Sequence, residues 1–430
     1  MSADRTTEAD VRYVAAGAAG RPPVGAYAGI SLAGHLLVIS IIGVLLKQLR
    51  LIGESLGPFE LLGALSATYF IVTNRARPTA ADAYFMRFQF FMVGAFISGA
   101  AVSALFLPEH FSPRELVATI YVALIVFGWV NFRDGTLEAR IGLLRDYLAG
   151  YCGLILIMAI LGYPFLKFVW YFDVYFGRLM GLSDNPNQLA GLANAGVVLS
   201  AAGMMLAGRV TRRDVAATAA VLMAGTMSLS VTFMLSVALA GVVATFVYGW
   251  IVTEAGSVGR RLFNIALSLS ALLCFLALLI LGDRVAAGII HLWSGETAKG
   301  ATRLAYWMEA LSESLWSPLV GLGPGGHVRV DYAAVLQEAH NIFVELFLSG
   351  GLVALAAYLF MLLTIATISM RNRLAVGIFC LVALVVMGSF HTVLRHAHHW
   401  IAFHALISVV LAMATQRASA TPSQDPQGAF

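Results

Sequence analysis

The chain has 430 residues, of which 60% are hydrophobic and only 12% are charged. Soluble domains contain about 25% charged residues, so this composition cannot cover a water-facing surface and excludes a soluble globular protein. The net charge of +4 does not indicate nucleic-acid binding, and we attribute it to membrane topology. The three cysteines, Cys152, Cys274 and Cys380, lie in apolar runs, which favours small core residues over a disulfide framework.

Long apolar runs recur along the whole chain. A membrane-spanning helix needs about 20 mostly apolar residues, so we predict an all-α, polytopic integral membrane protein with about 12 transmembrane helices. A tight reversal near Ser230 separates the seventh span from the eighth. The predicted spans are residues 27–47, 56–74, 88–107, 115–132, 146–166, 188–207, 214–230, 232–252, 262–282, 341–368, 374–390 and 398–415.

The distribution of Lys and Arg predicts the orientation of these spans. With the N-terminus in the cytoplasm, the inner segments hold 17 basic residues and the outer segments hold 10, which agrees with the positive-inside rule. The even number of spans then places both termini in the cytoplasm and one large loop outside. The predicted organisation is a disordered tail at 1–25, nine transmembrane helices in 26–282, the outer loop at 283–340, three transmembrane helices in 341–416 and a second tail at 417–430.

The outer loop contains a helical pattern of its own. Apolar residues at Leu304, Trp307, Met308 and Leu311 recur at helical spacing. They predict an amphipathic helix over 301–315 that rests on the membrane surface, with Trp307 and Trp316 as interfacial anchors.

Two further features connect this helix to the tenth span. The sequence GLGPGG at 321–326 predicts a turn, because it lacks the Lys-Ser/Thr pair of a phosphate-binding loop. A second short helix is predicted at 332–337 and leads to His340.

Arg303 and His340 are the candidate catalytic residues. Arg303 lies four residues before Trp307, and its planar guanidinium is suited to binding phosphate oxygens, with snorkelling to lipid headgroups as the alternative. His340 lies at the N-terminus of the tenth span, a position that favours the neutral imidazole, which can accept a proton. A satisfied boundary histidine is the alternative.

Other polar residues near the same membrane face are candidates for substrate binding. Asn341 and Asn187 lie at the starts of apolar helices, where helix capping is the alternative role. Glu345 lies one turn inside the tenth span and needs a partner there. Four histidines surround Arg395 in the last outer loop, and without an acid or a cysteine they favour a phosphate- or sugar-binding rim over a metal site. These histidines are His391, His396, His398 and His399.

Five short motifs follow one another in about the C-terminal 60% of the chain. They are Asn185-Pro186-Asn187, Arg303-x-x-x-Trp307, Pro318-Leu-Val-Gly321-Leu-Gly323, Ala339-His340-Asn341 and Gly350-Gly351-Leu352. In this order they resemble the motifs of the O-antigen ligase and O-antigen polymerase superfamily of bacterial envelope glycosyltransferases. The first half of the chain matches that family only as a hydropathy profile.

The resemblance implies an enzyme of the bacterial inner membrane that acts on its periplasmic face. Such enzymes take a glycan from a polyprenyl diphosphate and pass it to a sugar hydroxyl, without a cofactor, a nucleotide sugar or a metal. The resemblance implies that Arg303 binds the diphosphate and that His340 acts on the acceptor. Asn341, Asn187 and Trp307 are then expected to contribute to substrate binding.

One departure from the family pattern concerns a mid-chain arginine that helps to hold the diphosphate. The corresponding stretch, from Ser228 to Ser236, contains no basic residue. We expect Arg395 or Lys299 to replace that arginine; a different substrate or lost activity are the alternatives.

Three functions remain open at this point. A ligase that uses a lipid A-core acceptor is favoured, and a polymerase that extends O-antigen or exopolysaccharide would use the same chemistry. A transporter is the alternative from another class, but transporters place ionisable residues at mid-bilayer on broken helices, whereas the polar residues here concentrate at the outer boundary. A non-catalytic scaffold is the third possibility.

Overall fold

The computed structural model describes residues 27, 29–43, 57–74, 77–162, 174–175, 178–183, 185–249, 298–326, 339–391 and 393–420. Four sequence predictions lie outside these residues. They are the N-terminal tail at 1–25, the ninth span at 262–282, the short loop helix at 332–337 and most of the C-terminal tail at 417–430.

The described part of the chain is almost entirely helical. Besides its helices it contains one 3-10 turn at Pro108–His110 and an antiparallel pair of two-residue strands, β1 Val174–Tyr175 and β2 Arg178–Leu179, in which Val174 is opposite Leu179. The helices are α1 Leu32–Gly43, α2 Pro58–Thr73, α3 Ala80–Phe106, α4 Pro113–Asn131, α5 Leu137–Gly162, α6 Pro186–Ala207, α7 Arg212–Met227, α8 Val231–Val247, α9 Ala298–Ser314, α10 Ile342–Arg371, α11 Ala375–Phe390 and α12 Ala397–Ala420.

Eleven of these helices coincide with predicted spans, eight before residues 283–340 and three after them. Six of them, α3, α4, α5, α6, α10 and α12, are long and apolar enough to cross a membrane. Large apolar side chains such as Phe90, Leu105 and Leu363 are largely exposed on the outside of the bundle. Lipid can cover such a surface and water cannot do so without a large free-energy cost. The chain is therefore an α-helical membrane protein.

Helix α3 begins at Ala80, eight residues before the predicted span at 88–107. A capping box sets this start, because the Thr79 hydroxyl accepts from the Asp82 amide at 3.2 Å and the Asp82 carboxylate accepts from the Thr79 amide at 2.9 Å. The first turns contain charged residues, which lower the mean hydropathy, so the sequence prediction assigned them to a loop. The C-terminal helix α12 likewise continues to Ala420, beyond the predicted end at 415.

Helix α5 also begins early, at Leu137 rather than at residue 146, because its arginines are buried and paired. The guanidinium of Arg145 forms ion pairs with Asp146, at 2.9 Å, and with Asp214 of α7. Arg140 donates to the carbonyl of Phe132. Pairing and hydrogen bonding offset the cost of burying these charges, so the basic residues of this region lie within a helix and not in a loop.

Helices α6 and α12 lie in the centre of the bundle and are the most buried of the six long helices. Small residues in α6 allow close packing: a Cβ on Gly196 would lie only 2.8 Å from a methyl group of Val221 in α7. Asn194 of α6 donates to the Ala383 carbonyl of α11 at 3.2 Å and accepts from the Ser236 hydroxyl of α8 at 3.0 Å. These contacts fix α7, α8 and α11 around α6.

A second buried polar group joins α3, α4 and α12. The Trp129 indole N–H donates to Nδ1 of His404 at 3.1 Å. An indole can only donate, so Nδ1 is unprotonated and Nε2 of His404 carries the proton that is donated to Asp82 at 2.8 Å. Arg133 completes the group with an ion pair to Asp82 at 2.6 Å.

Helix α10 is broken at Gly351, where φ is 60° and ψ is −159°. A continuous helix would pair the amides of Leu352 and Val353 with the carbonyls of Leu348 and Ser349. The break separates these four groups. Unpaired backbone groups inside a membrane protein are costly, so each must find another partner.

The segment 318–323 fills the break and supplies all four partners. The amides of Leu322 and Gly323 donate to the two freed carbonyls at 2.7 and 2.9 Å, and the carbonyls of Pro318 and Leu319 accept from the two freed amides at 2.8 and 3.1 Å. All residues from 321 to 326 are buried. The glycine-rich run is therefore a turn, as the sequence predicts, and its amides bond to the protein.

Candidate functional site

Helix α9 is docked against the start of α10 by Trp307. The indole N–H donates to the Ala339 carbonyl at 2.6 Å, and the ring packs on an apolar cluster that includes Ala310 and Leu322. The helix predicted over 301–315 is confirmed as Ala298–Ser314. Trp307 is half-buried and bonded to the protein, so it joins two elements of the fold and does not serve simply as an interfacial anchor.

Arg303 and Lys299 lie on the same helix as Trp307. Their backbones are helical, and their side chains lie outside the part of the chain that the structure describes. Arg303 is one helical turn before Trp307, so its backbone belongs to the stretch of α9 that is docked against α10. The roles predicted for these two side chains stay predictions.

His340 has an unusual backbone conformation directly before α10. Its φ is +52°, a value that residues other than glycine adopt rarely and that persists only where surrounding contacts impose it. The half-buried imidazole stacks on the ring of His391, with centroids 6.5 Å apart and planes 8° from parallel. The strained residue is therefore also held by its side chain.

Glu345 bonds to the backbone around His340. Its side chain is 3% exposed, and Oε1 accepts from the Ala339 amide at 2.6 Å. The same carboxylate lies close to the amide of His340, which stabilises its negative charge. The backbone before α10 thus supplies the partner that a carboxylate one turn inside an apolar helix needs.

Ring contacts continue from His391 to other histidines of the α11–α12 loop. The His391 and His396 rings are 5.4 Å apart, and the His396 and His398 rings are 5.1 Å apart. His391 and His398 are buried, and both lie against Gly191 of α6. The group therefore lies largely inside the bundle, and the phosphate- or sugar-binding role that the sequence suggests stays a prediction.

His399 differs from the other histidines of that loop, because its ring packs on Trp400 and Phe403. Among the described residues, no group of three or more His, Cys, Asp or Glu side chains has an arrangement that could hold a metal ion.

Arg395 has a carboxylate partner. Its guanidinium forms an ion pair with Glu115 in the first turn of α4. The Gly325 turn packs on Glu115, since a Cβ on that glycine would lie 3.1 Å from the Glu115 Cβ. The ion pair offsets the positive charge with which Arg395 would bind the diphosphate in place of the missing mid-chain arginine. The substrate role of Arg395 stays a prediction.

The two predicted substrate asparagines lie at helix starts. Asn341 caps α10, because its Oδ1 accepts from the amides of Phe343 and Val344 at 3.0 and 3.4 Å. In α6 the cap is Asn185, which accepts from the backbone amide of Asn187 at 2.8 Å. Helix capping, the alternative role that the sequence analysis gave for both residues, is thus observed for Asn341. The half-buried Asn187 does not cap α6.

The mid-chain stretch from Ser228 to Ser236 forms the reversal between α7 and α8 that the sequence predicts near Ser230. Leu229 has a φ of +48°, and the Ser230 hydroxyl accepts from the Phe233 amide at 3.5 Å to cap α8. Its three serines are buried. The stretch therefore serves as a packed turn.

The fold and these contacts define an α-helical membrane protein with a polar group where α4, α6, α10 and α12 begin. The polar group comprises Glu115, His340, Glu345, His391, Arg395, His396 and His398. No protein-family model matches the chain, and no curated protein sequence matches it.

Proposed function

We propose that the protein is a membrane glycosyltransferase that moves a glycan from a polyprenyl-diphosphate donor to a sugar hydroxyl on the periplasmic face, in the manner of an O-antigen ligase. One observation carries the proposal. The helix on which Arg303 lies is bonded through Trp307 to Ala339, and the next residue is His340 in a left-handed conformation. The arginine suited to binding diphosphate and the imidazole suited to proton transfer thereby lie on two segments that are hydrogen-bonded to each other.

The proposed reaction needs only these two groups from the protein. The oxygen of the acceptor hydroxyl attacks the anomeric carbon of the donor, and the bond from that carbon to the diphosphate oxygen breaks. The diphosphate leaves with the bonding electron pair while its charge is stabilised by Arg303. The hydroxyl proton passes to His340, which later releases it to water.

The apolar surface beside α9 suits a donor dissolved in the membrane. Leu315, Trp316 and Leu319 are 69%, 71% and 64% exposed and follow directly after the docked helix. Tryptophan and leucine exposed together favour the boundary between headgroups and hydrocarbon. A polyprenyl diphosphate has its charged group at the same depth.

Two other functions remain in competition with this proposal. A polymerase would use the same groups, and the glycans of a deletion strain would separate the two: lost lipopolysaccharide capping indicates a ligase, and single-repeat glycans indicate a polymerase. A transporter would use the break in α10 to bind its cargo. The freed backbone groups around Gly351 are bonded to the segment 318–323, which disfavours that use.

The proposed topology has twelve spans, cytoplasmic termini and the loop at 283–340 in the periplasm. Single cysteines at two exposed positions test it: Leu315 after α9, 69% exposed, and Val210 between α6 and α7, 65% exposed. In a background lacking the native cysteines, an impermeant maleimide should label Leu315→Cys in intact cells. Val210→Cys should react only after permeabilisation, and equal labelling of both in intact cells would contradict the topology.

Arg303→Lys should lower glycan transfer roughly 10- to 100-fold, because charge-assisted hydrogen bonds contribute about 1.5–3 kcal/mol each and a lysine cannot form the bidentate pair. Transfer by purified protein is the measurement. Arg114→Lys is the matched control, since Arg114 is exposed and precedes the membrane-spanning part of α4. If Arg303→Lys transfers glycan as fast as this control, Arg303 only anchors α9 at the membrane surface.

A further inference from the structure

We propose that Glu345 is the positioning residue for His340; this role rests on the proposed function. The carboxylate holds the backbone directly before the imidazole through its bond to the amide of Ala339 at 2.6 Å, and it lies close to the amide of His340. Trp307 holds the Ala339 carbonyl at 2.6 Å. The backbone that sets the direction of the His340 side chain is thus bonded at both the amide and the carbonyl of Ala339.

Capping of α10 does not account for Glu345. Asn341 already accepts from the amides of Phe343 and Val344 in the first turn. The Glu345 carboxylate turns back past this cap, to residues that precede the helix. Its bond to the Ala339 amide therefore acts on the backbone before α10 and not on the helix itself.

The position of Glu345 is costly for a membrane protein. The carboxylate is buried among apolar helices, where ionisable side chains are expensive and are kept mainly for function. In the described part of the chain its partners are backbone amides, and the nearby carboxylate of Glu115 opposes its negative charge. Arg395, which pairs with Glu115, reduces that opposition. An apolar residue would fill the same space at a lower free-energy cost. What Glu345 adds is therefore its bonding to the backbone before α10.

The left-handed backbone of His340 makes this holding necessary. A non-glycine residue at φ +52° relaxes toward negative φ when its contacts are removed. Relaxation would turn the imidazole away from its stack on His391. Loss of Glu345 should therefore displace the proton acceptor while the helices remain folded.

A double-mutant cycle tests the proposal on purified full-length protein in lipid nanodiscs, with a polyprenyl-diphosphate-linked glycan and a sugar acceptor. Glu345→Ala should lower kcat about 100-fold, the cost of a displacement of about 1 Å, and leave the donor KM within a few-fold. In the His340→Ala background the same change should have little further effect, because Glu345 acts through His340. Glu345→Gln, which keeps an oxygen at the same reach, should recover part of the rate.

Two results would overturn the positioning role. One is an equal loss from Glu345→Ala with and without His340. The other is a loss of rate that follows the amount of folded protein in both Glu345→Ala and Glu345→Gln. Either result would mean that Glu345 supports the fold as a whole.

Hydrogen exchange separates failure of this inference from failure of the proposed function. If His340→Ala turns over as fast as the wild type, the proposed role of His340 is wrong, and exchange alone then decides the positioning role. Glu345→Ala should speed exchange of the Ala339 and His340 amides and leave those of α6 unchanged. Unchanged exchange at Ala339 and His340 would contradict the positioning role, whatever the activity.

Discussion

Replacing His340 with glutamine should lower glycan transfer about 10²–10⁴-fold, the usual cost of losing a general base. Glutamine keeps a hydrogen-bonding side chain at the start of α10 but cannot accept a proton from a hydroxyl at neutral pH. The imidazole is half-buried and stacked on His391, so the fold loses one ring contact. We therefore expect normal amounts of folded protein and unchanged binding of the polyprenyl-linked donor. His340→Ala should lose the same rate.

His110→Gln is the matched control for this prediction. His110 lies near α9, where its Nε2 is 3.4 Å from Glu313, and it has no part in the proposed chemistry. Its replacement should leave transfer within a few-fold of the wild type. If His340→Gln transfers glycan as well as His110→Gln, then His340 only orients the acceptor and the diphosphate-binding arginine carries the catalysis.

Gly351→Ala should strongly reduce the amount of folded protein. A Cβ at this position would overlap the carbonyl group of Leu319, which belongs to the segment that repairs the break in α10. The backbone conformation of Gly351, with φ 60° and ψ −159°, is essentially restricted to glycine and adds roughly 1–3 kcal/mol for any residue with a side chain. Overpacking adds about 1–3 kcal/mol, and separating the two segments would leave four backbone groups without partners. Thermal unfolding of the detergent-solubilised protein measures the loss.

Gly208→Ala is a control for a positive φ without a steric overlap. Gly208 ends α6 in the αL conformation, with φ 61° and ψ 13°, and nothing lies within 4 Å of the Cβ that alanine would add. The control should therefore lose only the roughly 1–2 kcal/mol of the αL conformation. Equal destabilisation of the two variants would mean that the segment 318–323 is not packed into the break.

The helices could be predicted from the sequence because each apolar run is long enough to indicate one. The errors fall where charge enters a helix. At the starts of α3 and α5, Asp82 and Arg145 are buried in pairs with partners distant in sequence, and no local pattern indicates such partners. The break in α10 was not predicted either, although Gly350-Gly351 is visible in the sequence. The segment that fills it, 318–323, precedes α10 in the chain, and no local pattern indicates that it packs there.

The candidate site was predicted in part. The sequence Ala339-His340-Asn341 predicted an imidazole and a helix cap at the start of α10. The helical spacing of apolar residues in α9 predicted a helix that carries Trp307. The partners were not predictable, because Glu345 bonds to the backbone and His391 reaches His340 from another loop. The charge of Glu345 inside an apolar helix did indicate that this residue needs a partner, but no sequence pattern indicated that the partner is the backbone before α10.

The proposed reaction transfers a glycan from a polyprenyl diphosphate to a hydroxyl. Its most direct test is to incubate the purified protein in nanodiscs with a polyprenyl-diphosphate-linked glycan and a sugar acceptor, with a metal chelator and no nucleotide sugar. We expect glycosylated acceptor and free polyprenyl diphosphate to form in equal amounts. Acceptor that stays unmodified, with the donor intact or moved across a liposome membrane, would contradict the account and indicate a transporter or a scaffold.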